Sequence, residues 1–337
     1  MANRRLVVVL VISLCGISVA GTLSWRTLNA PMAIPSTGVR LDIPLGTPLT
    51  GVTNDLARRA ILDTPRLLTL YARLLGDARR IHAGEYQIAP ETSPRQLLRQ
   101  LVNGDVVLHT LTVVEGRRFD EFLTELRAHP AILSSDDAAD VIMRKLGSEG
   151  VHPEGQFYPD TYSFARGTTD LEVLRQAHQA LNDVLATVWE QRQTEVLENS
   201  YEALVLASII EKETALGSER HRIAGVFSRR LRRGMRLQTD PTVIYGLGDS
   251  FDGNLRRVDL ETDTPYNTYT RAGLPPTPIA LPGGAALRAA VSPDIGDALY
   301  FVATGDPDGS HYFSRSLAEH NQAVTRYLER LRNPEPH

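Results

Sequence analysis

The chain reads as an α+β protein with a single N-terminal transmembrane helix, a small strand-helix-helix-strand subdomain and a larger mixed α+β domain. Three observations predict this. An uncharged aliphatic run opens the chain, short β-branched segments alternate with helical periodicities through the first third, and amphipathic helices separated by one long turn-rich stretch fill the rest. At 337 residues with 42% hydrophobic side chains, the sequence can build more than one core. Its 36 basic and 40 acidic residues give a net charge of −4. They include no basic block of the kind that grips phosphate backbones, so nucleic acid is not an expected partner.

Leu6 to Leu23 is an uncharged, largely aliphatic run of eighteen residues, close to the roughly 20 that an α-helix needs to cross a bilayer core. Arg4 and Arg5 precede it, and basic residues are retained on the cytoplasmic side. The expected topology is a cytoplasmic tail over 1–5, an anchor over 6–24, and everything beyond outside the inner membrane. Ser18-Val19-Ala20 also has small residues spaced as in a cleaved signal peptide; either reading exports the remainder. The only cysteine, Cys15, lies inside this run, so the exported part has no disulfide and no thiolate. The bulky Leu14 before it is a poor fit to lipoprotein processing. Pro31 to Thr37, rich in Pro, Ala, Ser and Thr, reads as part of a tether over 25–38.

Val39 to Leu45 predicts a short strand, Leu49 to Leu62 and Pro65 to Leu75 helices, and Gly84 to Ala89 a second strand. Ser93 and Pro94 supply an N-cap and first-turn proline for a helix ending near Asn103-Gly104. The order strand, helix, helix, strand over residues 39–105 resembles a LysM module. That resemblance implies a hold on N-acetylglucosamine polymers, with a plain spacer as the alternative.

Residues 106–337 form the larger domain. Val106 to Val114, rich in β-branched residues, predicts a strand. Thr169-Asp170-Leu171-Glu172 is a capping box, and Leu171, Leu174, His178, Leu181, Leu185 and Val188 give the apolar stripe of a long helix. His178 on that stripe reads as a hydrogen-bonded core residue. Asn199 as N-cap with Glu202 three residues on starts the next helix. Its run Leu204 to Ile210 passes without a turn residue into Glu211-Lys212-Glu213.

Glu211 and Glu213, two residues apart, point to different sides of that helix at about 100° per residue. Glu213 continues the stripe Leu206, Ile209, Ile210, whereas Glu211 follows Leu204, Ala207 and Ser208. A carboxylate at the edge of a core loses hydration and keeps its proton nearer neutral pH, which suits a general acid. Periodicity alone leaves open that both are exposed helix-end acids paired with Lys212 or nearby arginines. Ser218 to Arg233 then predicts a helix with Ile223, Val226, Phe227 and Leu231 inward and several arginines outward, closed by Gly234. In LQTDPTVIYG, Gln238, Thr239 and Asp240 sit just before Pro241, at a helix start, where side chains can face a groove. Thr262 to Gly284 has no helix or strand period, and a loop of this length in a compact domain is usually functional. Its Tyr266, Asn267, Thr268 and Tyr269 combine ring faces with amide and hydroxyl donors, which suits sugar rings.

ASIIEKET (Ala207 to Thr214), GMRLQTDPTVIYG (Gly234 to Gly246), YNTY (Tyr266 to Tyr269) and EGQFYPDTY (Glu154 to Tyr162) resemble, in order and spacing, motifs of the YceG-like family, the endolytic murein transglycosylases (MltG). The anchor, the LysM-like unit and the closing HYFSRSLAEHN (His311 to Asn321) extend the resemblance over nearly the whole chain. It implies a peptidoglycan lyase that cuts the β-1,4 bond between N-acetylmuramic acid and N-acetylglucosamine inside glycan strands and leaves a 1,6-anhydro end. It also implies work near the peptidoglycan synthases. Glu213 is then the catalytic acid and base, with no cofactor and no metal. Glu154, Gln238, Asp240, Tyr266, Asn267 and Tyr269 are candidates to line the groove or orient Glu213, each with a capping or bracing role as the alternative. Asp160 reads as a turn residue. His311 and His320 lack a third ligand at metal-site spacing.

The sequence departs from the family pattern at three places. Thr277 stands where family members often have glycine in GLPPGPI, Leu281 stands before Pro282-Gly283, and Gln156 replaces an aromatic or apolar residue. Loop conformation and substrate fit are the properties these changes touch. Two other classes fit the same chain: a peptidoglycan-binding scaffold without turnover, and a muramidase-type hydrolase using Glu154 or Asp240 as second carboxylate.

Overall fold

The structure, a computed structural model, describes residues 2–332, with the side chains of residues 2–10 and 12 outside the description. The chain divides into two compact units. The first holds residues 1–110, 130–133 and 163–168, and the second 111–129, 134–162 and 169–337.

The first unit begins with α1 (Ala2–Asn29). No helix among the described residues is long and apolar enough to cross a membrane; the side chains of the 1–5 tail and of residues 6–10 and 12 in the Leu6 to Leu23 run lie outside the description. Strand β1 (Val39–Ile43), α2 (Leu49–Arg58), α3 (Pro65–Leu75) and β2 (Gly84–Ile88) follow in that order, then α4 (Pro94–Asn103). β1 and β2 pair antiparallel, with Val39 opposite Ile88 and Ile43 opposite Gly84. Leu41, Leu56, Leu68, Tyr86, Ile88, Leu97 and Leu101 make the core between strands and helices. α2 stops at Arg58, short of the predicted Leu62, because Ala60 turns left-handed (φ 56) and Ile61 N donates back to Leu56 O at 2.9 Å. α4 keeps its predicted bounds: Ser93 and Gln96 form a reciprocal capping box, and Gly104 closes the end in the left-handed region.

The remaining elements are β3 (Leu108–Thr112), α5 (Phe119–Ala128), β4 (Ile132–Leu133), α6 (Ala139–Lys145), β5 (Thr161–Ala165), β6 (Thr168–Thr169), α7 (Asp170–Glu190), α8 (Ser200–Glu213), α9 (Arg220–Arg232), α10 (Asp240–Leu247), α11 (Arg257–Glu261), α12 (Gly284–Val291), β7 (Tyr300–Ala303), β8 (His311–Ser314) and α13 (Leu317–Arg332). β3 pairs with β5, β4 with β6, and β7 with β8. Residues 106, 107, 113 and 114, read as strand, lie outside β3. Thr169 and Glu172 cap α7, and Asn199 Oδ1 accepts from Glu202 N at 2.9 Å to start α8.

α8 is the axis of the second unit, packed by α7, α9, α10 and α12. Ala203 to Ile210 are buried without interruption, so the helix has no solvent face along that stretch; each large aliphatic side chain there contributes roughly 1.5–3 kcal/mol. A helix buried all round brings both Glu211 and Glu213 out at the edge of the core, as the continuous apolar run predicts. His178 sits in the core of this unit, its Nδ1 2.9 Å from Gln156 O and its Nε2 3.0 Å from Ser148 Oγ. Asp160 takes Thr161 N at 2.7 Å, a turn contact.

Candidate active site

Glu213 is the last residue of α8 and stays partly accessible to solvent. Two elements meet it. The first is the 236–240 segment that starts α10, where Thr239 is buried and its hydroxyl donates to Glu213 Oε1. Thr239 stands at the N-cap of α10 yet makes no side-chain cap bond; its hydroxyl is turned to the acid instead. The second is the YNTY loop. Thr268 O accepts from Gln238 N at 3.1 Å, and Thr268 Oγ1 accepts from Thr239 N at 3.1 Å, which ties the loop to the same segment.

Burial pushes the Glu213 carboxyl up from 4.5 to about 7; the Thr239 hydroxyl and the Arg230 charge oppose the rise, and the Asp240 carboxylate adds to it. The carbonyl end of α8 also disfavours a negative charge there. A carboxyl that titrates near neutral pH can both give and take a proton.

Glu211 is placed differently. Its side chain is 5% exposed, accepts from Arg220 Nη2 at 2.9 Å, and takes the Gly283 N–H at 3.0 Å. It fastens the start of α12 to the end of α8. Lys212 leaves the acids alone and donates to Gly116 O at 3.1 Å.

The six groove candidates separate into two groups. Asp240 and Tyr269 act electrostatically on Glu213, and Gln238 precedes Thr239, whose hydroxyl the acid accepts from. Tyr269 donates to Asp240 Oδ1 at 2.6 Å, and burial together with the Asp240 contact drives its phenol well above the usual range. Gln238 holds a left-handed backbone (φ 51), uncommon for a side chain other than glycine, Asn or Asp.

Glu154, Tyr266 and Asn267 build a second cluster in the same unit. Glu154 is 3% exposed; its carboxylate takes Phe119 N at 3.0 Å and the Tyr245 hydroxyl at 3.2 Å, and burial lifts it to about 7 against those two donors. Tyr245 and Tyr266 meet edge to face at 4.9 Å, and the Tyr266 hydroxyl lies 2.8 Å from Thr277 Oγ1. Asn267 is fully buried. Its amide donates to Thr262 O at 2.7 Å and to Asp259 O and Leu260 O at 3.1 Å, and its carbonyl takes Tyr269 N at 2.8 Å. That side chain is consumed in bracing the loop, the alternative role read from sequence, and does not face the groove.

At the departures from the family pattern, Thr277 holds Tyr266, Leu281 is fully buried, and Gln156 is buried with its Nε2 unpartnered. Arg230 was not singled out from the sequence. Unlike the outward arginines of α9 it is 7% exposed and lies beside the site. Its spacing from Ile223, Val226 and Phe227 places it on the inward row. Tyr245 and Thr239, also at the site, carry no periodic signal. His311 Nδ1 is 2.7 Å from Glu219 Oε2 and His320 stacks on Tyr300 at 5.3 Å. No group of three or more His, Cys, Asp or Glu among the described residues is placed to hold a metal ion.

Residues 41–326 match the model of the YceG-like family. An endolytic murein transglycosylase of Bacillus subtilis (strain 168) is 30% identical over 311 residues, which cover 87% of this chain and 85% of that protein. An endolytic murein transglycosylase of Streptococcus pneumoniae serotype 2 is 26% identical over 325 residues, 86% of this chain, which spans 58% of that relative's length. A crystal structure of a yceG-like protein from Listeria monocytogenes aligns with a TM-score of 0.53 and 28% identity, covering 86% of this chain and 99% of that one.

Proposed function

We propose, since this chain belongs to the YceG-like family, that it is a peptidoglycan lytic transglycosylase, an endolytic lyase acting within glycan strands through Glu213. One observation carries the residue assignment: Glu213 ends α8 against the Thr239 hydroxyl at the start of α10, where desolvation pushes its carboxyl up to about 7. Glu213 gives that proton to the glycosidic oxygen as the bond from muramic acid C1 to it breaks. The carboxylate left behind then accepts the proton of the muramic acid 6-hydroxyl as its oxygen closes on C1. The proton returns to Glu213, no water is consumed, and the product ends in a 1,6-anhydro ring.

An ordinary retaining glycosidase adds a second carboxylate about 5 Å from the acid. Glu154 is unsuited to that part, being buried and engaged by Phe119 N and Tyr245. Asp240 is exposed and close enough to raise the Glu213 pKa; it is the group a muramidase-type hydrolase would use. The mass of the new ends decides. Full-length protein with purified glycan strands is expected to release anhydro-muramic ends; reducing ends, heavier by one water, reject the lyase mechanism. A scaffold without turnover gives no new ends at all, and a costly desolvated carboxyl speaks against it.

Tyr269 offers a ring face to a sugar beside this acid, and Tyr266 offers one from the second cluster. The Thr277 hydroxyl holds the Tyr266 hydroxyl, so Thr277→Gly, the residue common in the family, releases that ring. The expected result is a KM for glycan strands raised about threefold with kcat within twofold, the scale of one hydrogen bond; steady-state digestion of graded substrate checks it.

The finer assignments rest on the sequence. The run Leu6 to Leu23 with Arg4 and Arg5 before it supports a single inner-membrane anchor with the rest of the chain outside the membrane. The order β1, α2, α3, β2 over residues 39–105 supports a LysM-like hold on the glycan, and residues 106–337 carry the catalysis. An anchored strand cutter would work beside the peptidoglycan synthases and end strands as they grow.

A further inference from the structure

Arg230 is a buried cation whose hydrogen-bond partners are all uncharged. From the inward face of α9, its Nε donates to Leu299 O at 2.7 Å. Its Nη1 donates to Leu237 O at 2.8 Å, Arg236 O at 3.3 Å and Gln238 Oε1 at 3.5 Å. The guanidinium lies over the Tyr300 ring, 5.1 Å from its centroid. A buried charge without a counter-charge is expensive, and such a charge is placed where an anion forms during the working cycle.

Two features connect Arg230 to Glu213. The carbonyls it holds belong to residues 236 and 237, immediately before Gln238, which carries the left-handed backbone (φ 51), and Thr239, which donates to the acid. The groups facing Glu213 are the Thr239 hydroxyl, the Asp240 carboxylate, the Tyr269 phenol and the Arg230 guanidinium. Of these, Asp240 is the like charge and Arg230 the opposite one. On its other side Arg230 faces Tyr300 and His320, and its charge helps keep the His320 ring unprotonated.

We propose that Arg230 is a positioning residue of the proton-transfer step: it fixes the wall of the site that carries Gln238 and Thr239, and its charge stabilises Glu213 as the carboxylate left after proton donation. The proposal rests on the reading of Glu213 as the acid. Glu213 gains a negative charge when the C1–oxygen bond breaks and loses it when the 6-hydroxyl proton arrives. A fixed guanidinium therefore assists the charged half of the cycle without taking or giving a proton.

The test uses the full chain and the alkaline limb of its rate–pH profile, which reports loss of the Glu213 proton. Arg230→Gln and Arg230→Met are expected to move that limb upward by about half to one pH unit, a roughly threefold to tenfold tighter hold on the proton. The plateau rate is expected to fall at least about tenfold. Arg230→Lys keeps the charge and is expected to keep the limb within about 0.3 units of the parent. A limb unmoved in both neutral variants, or moved as far in the lysine variant, overturns the proposal. If neither neutral variant melts cooperatively, the lysine variant decides, since a displaced limb there rejects the charge role.

Glu213 can also be titrated without turnover, from the pH dependence of the stability difference between each Arg230 background and the same background carrying Glu213→Gln. If the parent makes no anhydro ends, the proposed function fails; this second titration still reads Arg230, and an unmoved midpoint there overturns the Arg230 assignment by itself.

Discussion

Glu213→Gln is expected to lower the rate of glycan cleavage by about 10³-fold, within the 10² to 10⁴ range that loss of a general acid produces, while making the protein more stable at pH 8. The two effects have one cause. Glutamine keeps the shape and can still accept from Thr239 through its carbonyl, but it carries no ionisable proton. In the parent, burial lifts the Glu213 carboxyl from 4.5 to about 7, so the folded state binds that proton more tightly than the unfolded chain does. Its contribution to stability is therefore complete below pH 4.5 and is lost as pH rises through about 7. The difference amounts to as much as about 3 kcal/mol by pH 8. The glutamine variant escapes that loss, so melting curves of parent and variant should coincide near pH 4 and separate at pH 8, with the variant higher. A variant retaining a tenth or more of the parental rate would show that Glu213 is not the acid. Equal melting temperatures at both pH values would show that the carboxyl is not held protonated by burial.

Gly155→Ala is expected to cost about 2–4 kcal/mol and to take most of the activity with it. Gly155 has φ +76, and a Cβ there would lie 2.4 Å from Pro278 Cβ and 2.6 Å from Pro278 Cγ. The left-handed backbone alone costs an alanine roughly 1–2 kcal/mol, and the forced separation from a rigid proline ring adds about 1–3 kcal/mol. Residue 155 meets the loop over 262–284 at Pro278 and adjoins Glu154, which accepts from Tyr245, so moving them apart disturbs the second cluster as well as the core. Gly147→Ala is the control: its φ is +84 and nothing lies within 4 Å of the added Cβ, so only the backbone cost applies. Denaturant unfolding of both variants measures the difference. Equal losses would mean that the packing of Gly155 against Pro278 carries no weight.

Both expectations depend on parts of the chain that were legible to different degrees. The capping box at Thr169, the N-caps at Ser93 and Asn199 and the stops at Gly104 and Gly234 were readable because the groups involved lie within a few residues of one another. The starts of α3, α4, α7 and α8 follow directly. Ends set by tertiary contacts were not readable: α2 stops four residues short of Leu62, and β3 is shorter at both ends than its β-branched run. The helices α5, α6, α11, α12 and α13 went unread, although α12 packs along α8 and receives the Glu211 clasp through Gly283.

By itself the sequence determined that Glu211 and Glu213 leave the core at the end of one helix, that QTDP opens the next, and that an aromatic loop without a helix or strand period follows. Each of these is a statement about neighbours along the chain, and local periodicity and capping chemistry suffice for it. Only the tertiary structure decided which acid is clasped by Arg220 and Gly283 and which meets Thr239, that Asn267 turns inward, and that Arg230 is buried. The physical reason is that desolvation and counter-charge come from atoms distant in sequence. A carboxyl's proton affinity is set by what surrounds it in space, and no period along the chain encodes those surroundings.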